Sequence, residues 1–127
     1  MTKSRVCVST NVFASRKMES LSVEARLAYI YACSETNRIG EIGRRQNVTC
    51  TVKGGERAFQ ELVDSGFIIE AFDEYGPRYF VAHHFVNNGL ANSQQKDAAE
   101  RLYADVYDMV RLPGGDEPTF KGAYVPA

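Results

Sequence analysis

The side chains best suited to chemistry are cations and amides gathered in the middle of the chain. Lys53 and Arg57 stand four residues apart with Gln60 one turn further on, Arg44, Arg45, Gln46 and Asn47 precede them, and Tyr75 and Arg78 follow. Residues four apart share one face of a helix. Long donors at 53 and 57 therefore suit phosphate oxygens, and a glutamine beyond them suits an adenine edge in a major groove. Arg44 to Asn47 on one side, with Tyr75 and Arg78 on the other, extend that set along a phosphate backbone. Glu56, Glu61, Asp64, Asp73 and Glu74 lie in the same stretch. Carboxylates close to phosphates oppose binding, so a solvated, salt-bridged face is the competing reading. DNA binding by this set is expected to be weak or highly salt-sensitive.

Other chemistries find little support. Cys7, Cys33 and Cys50 are widely separated, with no CxxC pair and no Cys-His spacing suited to a metal. They read as reduced, mostly buried thiols. His83 and His84 are neighbours at the end of a strand, where successive side chains face opposite ways. One is expected to pack inward and the other to meet solvent, which places them badly for a shared metal. No Ser-His-Asp order, paired-carboxylate site or phosphate loop is present, so neither enzyme chemistry nor a cofactor is expected.

The cations need elements to position them. Val52, Gly55, Phe59, Leu62, Val63 and Gly66 fall at helical spacing and give a short amphipathic helix. Thr51 can cap its start and Gly66 can end it in a left-handed conformation. Gly54 and Gly55 weaken a helical first turn. Either they let a phosphate or another backbone come close, or a loop runs to Gly55 and the helix starts later. Phe67 to Phe72 and Arg78 to Ala82 read as strands around an Asp73–Pro77 turn. A helix followed by such a hairpin is the second half of a winged helix-turn-helix. Ile39 to Ile42 can be a third strand. Arg44 to Val48 is then the motif's first helix, unusually short, or else that helix is a single turn or absent.

Upstream, Arg5 to Val8 alternates like an edge strand, and Asn11 can cap a first helix running to about Glu19 or Ser20. Ser22 caps a second helix through Ala25, Leu27, Ala28, Ile30, Tyr31 and Cys33. Being apolar nearly all round, it reads as the buried centre, with Tyr29 and Tyr31 in the core and not stacked on bases. Val86 to Gly89 is a turn. Asn92 or Ser93 then caps a long helix with Ala98, Ala99, Leu102, Val106, Met109 and Val110 on one stripe. The expected fold is α+β: a winged helix-turn-helix with helices on a small antiparallel hairpin sheet and an additional C-terminal helix. It spans residues 1–110, and 111–127, rich in proline and glycine, form a linker or tail.

Composition sets the outer limits. The 127 residues suit one domain, and 44% hydrophobic with 24% charged residues is a globular balance. A net charge of −1 gives no global basic excess, so affinity for nucleic acid has to be local. No apolar run reaches membrane-spanning length and the first ten residues lack the core of a signal peptide. A cytoplasmic protein with no membrane partner is expected.

Phe13 before a charged segment, LSVEARLAYIYACSETNRIGEI (Leu21 to Ile42), AFQELVDSGFI (Ala58 to Ile68), the hairpin and the NSQQKDAAERLY helix together resemble the amino-terminal winged-helix domain of phage replisome organisers and DnaD-like replication initiators. The resemblance covers about residues 10–110 and departs between Ile42 and Thr51, where that family has a fuller helix. It implies origin recognition or DNA remodelling, often as an oligomer, with a carboxy-terminal helicase-loading region for which this chain is too short. The partner so implied is DNA, duplex in the first instance. The rival reading is a protein-interaction and oligomerisation module that contacts a second copy through the hairpin edge or the Ala98–Val110 helix without binding DNA.

Overall fold

The first two described elements are single helical turns, α1 (Thr10–Phe13) and α2 (Arg16–Glu19). The computed structural model describes residues 8, 10–84 and 93–106, the side chain of Lys96 excepted. The continuous helix expected from Asn11 to Glu19 is broken at Ser15, which is extended. Its hydroxyl accepts from Met18 N at 3.3 Å and donates to Val12 O at 2.6 Å. One side chain thus ends the first turn and caps the second, a local competition that serine enters readily. Asn11 lies inside α1 and does not cap it.

Ser22 caps α3 (Val23–Ser34), its Oγ accepting from Ala25 N at 3.1 Å. The buried face is Ala25, Ala28, Tyr29, Ala32 and Cys33. Small residues there let a neighbouring helix approach closely. The expected burial of the whole helix is corrected: Val23, Leu27 and Tyr31 are 65%, 43% and 38% exposed, so a second apolar stripe faces outward. After α3 the chain curls. Asn37 Oδ1 accepts from Ile39 N and Glu41 N, and Gly40 adopts φ +96°. This curl reduces the third strand expected at Ile39–Ile42 to isolated bridges, Thr36 with Ile42 and Glu41 with Phe80.

One turn, α4 (Gln46–Thr49), precedes α5 (Gly55–Asp64). Gly54 sits at φ +67° before α5, and a Cβ on Gly55 would run into the Thr49 carbonyl. Of the two readings for the glycines, the late helix start therefore holds, and the backbone that comes close at Gly55 is the protein's own. Thr51 is not the cap; its hydroxyl donates to Val48 O at 2.6 Å and closes α4. Phe59 and Leu62 of α5 are fully buried against α3. Gly66, at φ +86°, turns the chain after α5 into β1 (Ile68–Asp73), which pairs antiparallel with β2 (Gly76–Val81). Asp73 Oδ1 accepts from Tyr75 N at 2.8 Å, closing the two-residue turn. Pro77, expected in the turn, lies in β2 opposite Phe72.

Strand alternation gives the hairpin two covered faces. Phe67, Ile68, Tyr79 and Val81 pack with α3 and α5, whereas Ile69, Ala71 and Phe80 pack with Ile39 and with Ala99, Tyr103 and Val106 of α6 (Ser93–Val106). The buried stripe of α6 therefore runs through Tyr103, while Leu102 is 37% exposed. Helices α3, α4 and α5 followed by the hairpin make an α+β, winged-helix-like fold, with α6 on the far face of the hairpin. Among the described residues no helix is long and apolar enough to cross a membrane. The expectations for Arg5–Cys7, Val86–Gly89, Asn92, Met109, Val110 and residues 111–127 lie outside the described residues.

Candidate functional site

Arg45 joins the three elements that carry the predicted site. Its guanidinium lies 4.5 Å over the Phe59 ring of α5 and 5.3 Å over the Tyr79 ring of β2. Nη1 donates to the Tyr79 hydroxyl at 2.9 Å and Nη2 to Glu56 Oε2 at 2.5 Å. Phe59 and Tyr79 meet edge to face at 5.1 Å beneath it. Burial works against the charged guanidinium, but the bonds to Glu56 and Tyr79 outweigh it and hold its pKa above the ordinary value. Burial, aided by Glu70 across the strand pair and opposed by Arg45, raises that of Tyr79. Arg45 is thus a clamp between α4, α5 and the hairpin, with both terminal nitrogens already bonded.

Arg44, Lys53 and Arg57 are exposed, and among the described residues no ion pair or hydrogen bond engages their side chains. Lys53 does not lie on the α5 face with Arg57 as its spacing predicts, because the helix begins at Gly55; it occupies the preceding turn. Both still line one open depression of about 1000 Å³, with Glu24, Cys50, Glu56 and Glu61. Cys33 is a buried free thiol, as expected of most of the cysteines, whereas Cys50 is exposed in this depression.

The amides are less available. Gln60 Nε2 donates to Asp64 at 2.8 Å and Asn47 Nδ2 to Glu35 at 3.1 Å, which leaves Gln46 exposed at the start of α4. Tyr75 is 89% exposed at the hairpin tip. Arg78 is not brought to the α5 side. Its register puts it on the α6 face, where Nε and Nη2 bond Glu41 at 2.7 and 2.6 Å and Asp73 lies 3.7 Å away. The Glu41 bonds hold the Arg78 pKa above its ordinary value.

Most of the acids counted against phosphate binding also have partners. Glu56 takes Arg45, Asp64 takes Gln60 and Asp73 takes Arg78. Glu61 accepts from Ser22 N and Oγ at 2.7 and 2.8 Å, so that α5 caps α3. Sequence reading gave Glu61 no structural role; its partner lies 39 residues away and no local signal announces it.

His83 is buried at φ +56°, and His84 is half-buried with Nε2 3.2 Å from Thr36 Oγ1. His83 thus packs inward as expected of one of the pair, whereas His84 is only partly solvated, because β2 ends at Val81 and strand alternation stops before them. Comparison with protein-family models, curated proteins and solved structures gave no match.

Proposed function

We propose that this domain binds DNA through the α4–turn–α5 segment, as a winged-helix domain of the kind found in phage or prophage replication initiators, and that it acts in the cytoplasm without catalysing a reaction. The observation that carries the reading is a set of three exposed cations around the turn, present although Glu24, Glu56 and Glu61 line the same depression as Lys53 and Arg57. Arg44, Lys53 and Arg57 lie around the turn with no side-chain partner among the described residues, while Glu56 and Asp73 meet Arg45 and Arg78 and Asp64 accepts from the neutral Gln60 amide. Free cations beside engaged acids are what a phosphate backbone requires. The test is fluorescence anisotropy with a labelled duplex at low salt. The triple variant Arg44→Ala, Lys53→Ala, Arg57→Ala is expected to bind at least tenfold more weakly at an unchanged melting temperature, and equal binding by wild type and variant would overturn the reading.

A second reading, self-association, is favoured by the outward stripe of Val23, Leu27 and Tyr31 on α3. These positions, four apart, form one ridge. The stripe first expected to serve this role is partly used up, since Ala99 and Val106 already pack on the hairpin. A dimer mass in sedimentation, lost on Leu27→Glu, with no retardation of DNA, would favour this reading over the first.

A further inference from the structure

We propose that Phe72 and Tyr75, at the free end of the hairpin, form a stacking surface for unpaired nucleobases, so that the nucleic acid held by this domain is single-stranded DNA. The inference rests on the DNA reading above and goes beyond it in naming the form of the partner. Phe72 is 66% and Tyr75 89% exposed. Register places Phe72 on the same face of the sheet as Tyr79, one cross-strand pair beyond it, with Pro77 opposite. Tyr79 is the residue that Arg45 bonds at 2.9 Å. The exposed ring therefore continues the side of the hairpin that packs on α3 and α5, away from α6.

The charge at the tip points the same way. Glu74 is exposed without a side-chain partner among the described residues, and the Asp73 carboxylate lies beside it in the turn. Arg78, the cation nearest in sequence, is held by Glu41 on the opposite face. A duplex presents its phosphates outermost, and against them this tip sets two carboxylates, with the Tyr75 hydroxyl as its side-chain donor. A single strand can keep its phosphates on Arg44, Lys53 and Arg57 and turn its bases onto the rings. Two of the three amides that could read base edges are engaged, Gln60 by Asp64 and Asn47 by Glu35, and stacking on ring faces tolerates any sequence.

The test compares a labelled mixed-sequence oligonucleotide with its duplex, using the full chain at one low salt concentration and anisotropy as the readout. Wild type is expected to bind the single strand more tightly. The double variant Phe72→Ser, Tyr75→Ser should lose about tenfold or more on the single strand, with the slope of affinity against salt unchanged. Phe72→Tyr with Tyr75→Phe should restore binding. Both side chains are exposed, so circular dichroism should report unaltered folding. Duplex binding equal to or tighter than single-strand binding, indifferent to both positions, overturns this inference and leaves the DNA reading intact. Binding of neither form overturns both.

Discussion

Arg44 and Arg45 are adjacent and chemically identical, yet their surroundings give them different work. Arg45 stacks on Phe59 and Tyr79 and bonds Glu56, whereas Arg44 points into solvent. Because Glu56 is 71% exposed, the ion pair itself contributes little; the stacking and the Tyr79 bond contribute more. Arg45→Ala is expected to lower unfolding free energy by about 1–2 kcal/mol, and Arg44→Ala by less than about 0.5 kcal/mol. Arg45→Lys should recover little, since an ammonium lacks the planar face. Denaturant titration separates the cases, and equal effects at the two positions would refute the clamp. Tyr29 carries a second prediction at this scale. Burial, reinforced by Cys33, raises its pKa well above the ordinary tyrosine value of about 10. A raised folded-state pKa means that the folded form keeps the proton longer. The resulting stability is complete below about pH 10 and is lost as pH rises further. Tyr29→Phe should flatten the alkaline fall in stability, measured by melting between neutral pH and about pH 11; an equally steep fall in the variant would assign it elsewhere.

At the level of elements, the approach of α4 to α5 depends on Gly55, because a Cβ there meets backbone atoms of Thr49 and not a movable side chain. Gly54 has nothing within 4 Å of its added Cβ, and only its φ of +67° resists substitution. Gly55→Ala is therefore expected to cost about 3 kcal/mol or more, or to prevent folding, and Gly54→Ala about 1 kcal/mol. Comparable melting temperatures for the two would show that the helices do not meet there. This pair also marks where sequence stops being informative. Two neighbouring glycines announce a special backbone, but whether a phosphate or a carbonyl approaches is decided by Thr49, and spacing does not place Thr49. Signals that act within a few residues were legible: the Ser22 cap, the left-handed Gly66, the apolar positions Phe59 and Leu62, and the change of period at Phe67 that starts the hairpin. Contacts across the chain were not. Nothing local links Arg78 to Glu41, 37 residues away, or Arg45 to Tyr79, 34 away. The α3 helix misled for a different reason: when nearly every position is apolar, periodicity cannot say which face is covered, and the alanine face was the buried one.

For the whole molecule, a net charge of −1 means that no long-range field draws it to a polyanion. Any affinity then comes from contacts made at short range, and its dependence on salt counts them. With Arg44, Lys53 and Arg57 as the available phosphate partners, a single strand gives a slope of log affinity against log salt of about −2, and a duplex about −2.7. Between 50 and 200 mM salt the loss is then about twentyfold to fortyfold, well below that of proteins with six or more phosphate contacts. Removing one cation should reduce the slope by about 0.7–0.9 and weaken binding to all sequences alike. Arg78→Ala should leave the slope unchanged, because that guanidinium is held by Glu41 on the α6 face. A slope near −5, or one that falls on removing Arg78, would mean that the ion pairs at Arg45 and Arg78 open on binding and that the contacting surface extends around the hairpin to its other side.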